Sequence, residues 1–125
     1  MYQILKPFYP IIHMNIQEKR INNIAIVLVE GNIALTSSIE LRNFVKPIVE
    51  NNDVSDLLMN FEKVSTIDSS GVGVIVQIYK SLSENKKRLI ITNLNEKCYD
   101  VFLLTRLNKI LTIIKTESEG LDLLK

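Results

Sequence analysis

The residues that could carry covalent chemistry lie together in one short stretch, Asp68-Ser69-Ser70-Gly71. A serine hydroxyl becomes a nucleophile only when a base lies within hydrogen-bonding distance. The chain has a single histidine, His13, far away in the sequence, and the residues around the serines do not form the Gly-x-Ser-x-Gly elbow of hydrolases. We therefore do not expect the chain to be an enzyme.

Other kinds of reactive or ligand-binding site have weak sequence support. Gly71 and Gly73 stand close together, but neither phosphate-binding glycine pattern is present. No cluster of His, Asp or Glu has the spacing of metal ligands, so we expect no metal site. The single cysteine, Cys98, is interpreted as a small buried apolar residue. The basic run Lys86–Arg88 is interpreted as a solvated helix end.

The serine pair suits a modification site better than a catalytic one. In structural terms the stretch is a capped turn from a strand into a helix. A phosphate at a helix N-terminus would meet unpaired backbone N–H groups and a favourable dipole. It would also add about −1.5 to −2 charges at pH 7. Desolvation of this charge by a closely docked partner would weaken binding. Gly71 and Gly73 would leave room for the close approach of a partner.

Length and composition describe one ordinary globular domain. The chain has 125 residues, a formal net charge of +1, 46% hydrophobic and 23% charged residues. The near-zero charge argues against nucleic-acid binding, and no apolar run is long enough to span a membrane. One cysteine favours the reducing cytoplasm. Residues 1–13 contain Pro7 and Pro10 and are interpreted as an N-terminal extension, with the domain at residues 14–125.

Hydrophobic patterning predicts a mixed α/β sheet of four to five strands with about four helices packed against it. Ser37 begins a capping-box pattern before the first helix, in which Pro47 predicts a kink or an early end. Ser69 or Ser70 is the expected N-cap of the second helix, and Thr116 begins another capping box before the last. The strands are expected at residues 14–19, 24–30, 56–61, 88–93 and 110–114, and the helices after residue 37 and at residues 72–82, 95–104 and after 116.

The segment Ser65–Val76 closely resembles the phosphorylation motif of bacterial anti-sigma factor antagonists, which are single STAS domains. Three further segments, Val29–Ile33, Asn60–Val64 and Val101–Ile110, resemble the same family, so that the likeness extends over nearly the whole chain from Met14.

This resemblance implies a non-catalytic, cytoplasmic binding module that is switched by phosphorylation. It also implies that the chain needs no cofactor, because the kinase would hold the nucleotide and Mg²⁺. The unmodified chain would bind an anti-sigma factor that is also a serine kinase, and thereby release a sigma factor. The kinase would phosphorylate the second serine, Ser70, and a serine phosphatase would reverse the modification. We expect a monomer. The partner-binding residues expected at the start of the second helix and in the loop before the first are Asp68, Ser69, Gly71, Val72, Gly73, Asn32, Ala34, Thr36 and Ser37.

Two positions depart from the family pattern. Ala34 stands where the family often has an acidic residue, and its presence removes one repulsive neighbour of a phosphate. Arg106 stands where the family tends to have glycine, which predicts a changed helix cap. The alternative function is that of a STAS scaffold, or of an accessory subunit, in a stress-sensing or transport assembly. The serine pair favours the phosphorylation switch, because it supplies the hydroxyl that a kinase needs.

Overall fold

The computed structural model describes residues 14–125 and shows a five-stranded mixed sheet with four helices. The predicted extension at residues 1–13 lies outside this range. Residues Leu107–Lys109 form a 3-10 turn before the last strand. The strands are β1 (Asn15–Ile21), β2 (Ile24–Ile33), β3 (Asp56–Ile67), β4 (Arg88–Thr92) and β5 (Thr112–Ile114), and the helices are α1 (Leu35–Glu50), α2 (Ser69–Glu84), α3 (Glu96–Leu104) and α4 (Glu117–Leu123).

The strands lie in the sheet in their sequence order, from β1 to β5. β1 and β2 are antiparallel and form a hairpin, in which Asn22 supplies the left-handed turn with φ +56°. All the other neighbouring strands are parallel, since helices connect them. The carboxyl ends of β2 to β5 therefore lie along one edge of the sheet.

The core lies on both faces of the sheet. On one face, buried side chains of α1, α2 and α3 such as Leu41, Ile75 and Phe102 pack against the strands. On the other face, Leu124 follows α4 and packs with Leu58 and a smaller group of strand residues. Because both faces are covered, β2 and the first half of β3 are almost continuously buried.

Pro47 does not end α1, which runs on to Glu50. The predicted early end is therefore wrong. Proline has no backbone N–H, so the Asn43 carbonyl, four residues before Pro47, lacks its usual helical hydrogen bond. Because Asn43 and Pro47 are both exposed, water can reach this carbonyl instead. Burial of Ile48 and Val49 in the core holds the last turn in place.

The predicted start of α1 and the predicted end of β3 are also corrected. α1 begins at Leu35, two residues before the expected cap at Ser37. β3 continues beyond Phe61 to Ile67, because Val64 and Ile67 are buried and pair with the last residues of β2. The register between the two strands shifts in this region. Glu62 and Lys63 interrupt the apolar pattern there, which concealed this extension. The helix at residues 72–82 and the Thr116 cap are confirmed.

Candidate functional site

Two helix N-termini lie side by side at the carboxyl edge of the sheet. Ile33 at the end of β2 pairs with Ile67 at the end of β3, and α1 and α2 each begin two residues later. The Asp68 amide donates a hydrogen bond to the Ile33 carbonyl at 3.0 Å, which joins the two strand-to-helix turns. The positive ends of both helix dipoles therefore face the same region of solvent.

Asp68 caps α2 and fixes the start of the serine motif. Its backbone is extended, with φ −104°, and its carboxylate accepts a hydrogen bond from the Gly71 amide at 3.1 Å. The expected cap at Ser69 or Ser70 is therefore wrong. Aspartate is as good an N-cap as serine, and its position one residue earlier makes Ser69 and Ser70 the first two helical residues.

The two serines differ in exposure. Ser69 is exposed, as is Asp68, whereas Ser70 is half-buried. Because the first amides of a helix have no carbonyl four residues before them to bond, both serines lie where unpaired N–H groups accumulate. The Ser70 side chain is thus partly accessible to solvent and is not enclosed by the core.

The two glycines of the motif have different surroundings. A Cβ built on Gly71 would lie 2.6 Å from Cγ2 of Ile33 and 2.7 Å from Cγ1 of Ile67. Gly71 therefore allows α2 to start close against the strand ends. A Cβ on Gly73 would meet nothing within 4 Å, and this residue is exposed. Val72 between them is buried.

The start of α1 is capped without a side chain at the N-cap position, Ala34. The Ser37 hydroxyl instead accepts a hydrogen bond from the Ala34 amide at 2.8 Å and donates one to the Asn32 carbonyl at 2.7 Å. Ser37, which was predicted to bind a partner, is buried and holds this turn together. Asn32, Ala34 and Thr36 are exposed.

Two apolar side chains on α1 were missed by the sequence analysis. Leu35 is 67% exposed and Ile39 is 43% exposed. Being four residues apart, they lie on the same side of the helix and form an exposed apolar surface at its first two turns, which we call the α1 apolar surface. The sequence analysis began the first helix after residue 37 and placed Leu35 in the preceding loop. It therefore did not predict that Leu35 and Ile39 lie on the same side of one helix.

Asn95 positions the chain segment that leads into the motif. Its side-chain amide donates hydrogen bonds to the carbonyls of Val64 and Ser65, both at 3.0 Å. Its carbonyl oxygen also caps α3 by accepting a hydrogen bond from the Cys98 amide at 2.8 Å. One side chain thus ties the end of β3 to α3. The sequence analysis placed Asn95 inside the third helix and gave it no such role.

In the part of the chain that the structure describes, neither a reactive thiol nor a metal-binding cluster lies at this edge. Cys98 is fully buried, and burial raises the pKa of its thiol, which keeps it protonated and unreactive. Within residues 14–125, no three His, Cys, Asp or Glu side chains are grouped so that they could hold a metal ion. None of the helices in the same range has both the length and the apolar character to cross a membrane.

Comparisons with known proteins identify relatives over most of the chain. A family model described as the STAS domain matches residues 15–120. An anti-sigma-B factor antagonist of Bacillus subtilis (strain 168) is 32% identical over 108 residues, which cover 86% of this chain and 96% of that protein.

Two solved structures resemble the fold. One is the crystal structure of a candidate anti-sigma factor antagonist of Thermotoga maritima, with a TM-score of 0.81 and 25% identity, covering 86% of this chain and 92% of that one. The other is the phosphorylated form of the Bacillus cell fate determinant SpoIIAA, with a TM-score of 0.70 and 22% identity, covering 89% of this chain and 100% of that one. The five-stranded mixed sheet with four helices is the fold expected from the sequence.

Proposed function

The chain belongs to the STAS domain family, and on that basis we propose that it is an anti-sigma factor antagonist switched by phosphorylation of Ser70. Its Bacillus subtilis relative is named an anti-sigma-B factor antagonist. In its unmodified form the chain binds an anti-sigma factor with serine kinase activity, and the sigma factor is released. Phosphorylation ends this complex, and a serine phosphatase restores the binding form.

The observation that carries the proposal is the position of Ser70. It is the second residue of α2, half-buried, beside the start of α1. The two helix dipoles stabilise a phosphate there within the free chain. A partner docked against the same edge would have to desolvate that dianion, and such a mismatch costs several kcal/mol. Phosphorylation can therefore abolish docking while the fold is retained.

The surrounding residues support a docking surface rather than a reaction centre. The exposed partner-binding residues proposed here are Asp68, Ser69, Gly73, Asn32, Ala34 and Thr36. Gly71, Val72 and Ser37 contribute by shaping this surface from below, since they are buried. Asp68 caps α2, so we assign it a positioning role. The general base that accepts the serine proton belongs to the kinase.

The remaining features of the proposal concern the whole protein. It acts as a cytoplasmic monomer, without a cofactor and without catalysis of its own. Its formal net charge of +1 offers no electrostatic drive towards nucleic acid.

The test uses the cognate kinase, identified by pull-down with the unmodified chain as bait. After incubation of the complex with ATP and Mg²⁺, mass spectrometry should find one phosphate, on Ser70, and the complex should dissociate. A Ser70→Ala variant should stay bound in the presence of ATP. A Ser69→Ala variant lacks one proposed contact residue, but the fraction of it that binds should be phosphorylated on Ser70 and released.

Equal release of wild type and Ser70→Ala would overturn the assignment of Ser70. A large self-assembly on size-exclusion chromatography, with no complex that ATP dissociates, would favour the scaffold function instead.

A further inference from the structure

A groove opens at the amino ends of β4 and β5, which is the other end of the parallel strands from Ser70. It has a volume of about 410 Å³ and lies between the last turns of α2 and the end of α4. We call it the β4–β5 groove, and its lining includes Tyr79, Leu89, Ile110, Thr112 and Leu123.

Two large apolar side chains in the lining of this groove are exposed. Ile110, which follows the 3-10 turn, is 57% exposed, and Leu123 of α4 is 52% exposed. They come from different elements, so the fold brings them to one groove that neither element forms alone. Covering them with further apolar side chains would be favourable, because apolar surface would be removed from water.

The charge of the β4–β5 groove is positive. Lys87 and Arg88 line it, and none of the other described residues in its lining is acidic. The nearest carboxylates along the chain, Glu84 and Asp122, line two other grooves. Arg88 pairs with Asp56, yet its side chain remains 59% exposed. A ligand in the groove would therefore meet cations without competing carboxylates in its walls.

Positive charge continues along the chain beside the groove. Between residues 101 and 116 the sequence contains Arg106, Lys109 and Lys115 and no acidic residue. All three are exposed, and among the described residues none of them forms a salt bridge. Because Lys109 directly precedes Ile110, an unpaired cation lies next to an exposed apolar side chain.

We propose that the β4–β5 groove binds a segment of a second protein in which apolar side chains lie next to carboxylates. The apolar side chains of that segment cover Ile110 and Leu123. Its carboxylates face Lys109 and Arg88, and this charge complementarity selects acidic segments over basic ones.

Shape and charge favour this occupant over two others. An amphipathic element that lies on a bilayer presents its apolar side chains on one outward face, whereas Ile110 and Leu123 line a groove. In a twofold dimer formed through this face, the same cations of the two copies would face each other, and like charges across an interface are unfavourable.

This inference goes beyond the proposed function, because the groove and Ser70 lie at opposite ends of the parallel strands. A phosphate on Ser70 does not reach the groove. The chain can therefore hold this second protein whether or not its serine is phosphorylated.

The test selects peptides from a random library displayed on phage, with the full, unmodified chain immobilised. Peptides that combine carboxylates with apolar side chains should be enriched. Replacing their acidic residues by the corresponding amides should weaken binding several-fold. Failure to enrich such peptides, or binding that survives the loss of their charge, would overturn the proposal.

Substitutions in the chain locate the binding site. Fluorescence anisotropy of one selected peptide should show a several-fold loss of affinity for Lys109→Glu and for Ile110→Ser. Lys46→Glu and Leu35→Ser are the matched controls, since they make comparable changes at exposed residues of α1, and they should leave the affinity unchanged. An equal loss in the α1 variants would show that the peptide binds elsewhere.

The phosphorylation state separates this groove from the proposed docking site. Chain that carries phosphoserine at position 70, incorporated during translation, should bind the peptide as tightly as unmodified chain, and a several-fold loss would contradict the proposal. Binding to phosphatidylglycerol vesicles, or self-association in sedimentation, that Lys109→Glu abolishes would instead assign the surface to a membrane or to a second copy.

Discussion

At the scale of single residues, Gly71 and Gly73 differ in how closely the rest of the described chain surrounds them. Glycine inside a helix costs about 0.5–1 kcal/mol relative to alanine. At Gly71 this cost allows close packing, since a Cβ would lie 2.9 Å from the Ile33 carbonyl oxygen and even closer to side-chain carbons. At Gly73 no atom of the described chain would be met within 4 Å. Contacts among the described residues therefore explain the glycine at position 71 but not the one at position 73, for which the proposed docking surface would supply a reason.

Alanine at each of these two positions should have opposite effects. Gly71→Ala should lower the free energy of unfolding by about 1–3 kcal/mol, because Ile33 and Ile67 must move. Gly73→Ala should raise it by about 0.5–1 kcal/mol through helix propensity. Urea denaturation monitored by circular dichroism measures both.

The same Gly73→Ala variant also probes binding. If the partner approaches the first turn of α2, the added methyl group should weaken the complex although the protein is more stable. Unchanged affinity in the stabilised variant would remove Gly73 from the docking surface.

At the scale of secondary-structure elements, the end of α3 carries a backbone conformation that its sequence does not favour. Arg106 follows the helix with φ +61°, in the left-handed region, and its amide donates a hydrogen bond to the Leu103 carbonyl at 3.0 Å. A helix very often ends on glycine in this conformation. The sequence analysis expected a changed helix cap at Arg106. The change is that an arginine adopts the left-handed conformation that suits glycine.

Arg106→Gly should therefore stabilise the protein by about 1 kcal/mol, because the left-handed conformation costs a side-chain-bearing residue about that much. Thermal unfolding followed by circular dichroism would show the increase as a higher Tm. Lys109→Gly is the control, since Lys109 is close by but is not among the positive-φ residues, and it should lower Tm. A lower Tm for Arg106→Gly as well would contradict the account of this cap.

The pairing of β3 with β4 is anchored by an ion pair at its amino end. Arg88 donates hydrogen bonds to the Asp56 carboxylate from Nε at 2.8 Å, Nη2 at 3.2 Å and the backbone amide at 3.2 Å. Burial by itself would raise the pKa of Asp56, but these hydrogen bonds and the charge of Arg88 outweigh it and hold the pKa below its ordinary value.

Asp56→Asn should consequently cost about 1–2 kcal/mol of stability at neutral pH. Because the pKa of Asp56 is lower in the folded state, its carboxylate stabilises the fold fully at pH values above the unfolded-state pKa of about 3.9. This stabilisation is lost as the pH falls through the pKa of the folded state. The difference in unfolding free energy between wild type and variant should thus shrink below about pH 4. Denaturation series at several pH values measure this difference.

Asp53→Asn, at an exposed carboxylate, is the matched control for this series and should change little at any pH. A difference between wild type and Asp56→Asn that stayed constant down to pH 2 would contradict the role of the ionised pair.

At the scale of the whole molecule, the parallel connection of β2 to β3 through α1 creates the proposed site. A single, partly parallel sheet could be predicted from the sequence, because strand and helix patterns alternate along the chain and such alternation favours parallel strands. The order of the strands in the sheet was not predicted. The expected sheet of four to five strands with about four helices is confirmed. The motif could also be placed at the start of a helix, since capping residues and a turn precede it.

Details of the site could not be predicted from the sequence because adjacent residues compete for the same role. Asp68, Ser69 and Ser70 are all good N-caps, and the choice of Asp68 depends on where β3 ends. The outward position of Leu35 likewise depends on the cap that the Ser37 hydroxyl makes with the Ala34 amide. Such choices are decided by packing between strand ends, which pattern analysis along one chain does not measure.

The central claim is that one phosphate on Ser70 decides whether the partner docks. The most direct measurement is the affinity of the cognate anti-sigma factor for two preparations of this chain, unmodified and stoichiometrically phosphorylated on Ser70, at the same salt concentration. The account predicts an affinity loss of about a hundredfold or more, or about 2.7 kcal/mol, with the circular dichroism spectrum unchanged. Equal affinities for the two preparations would contradict it.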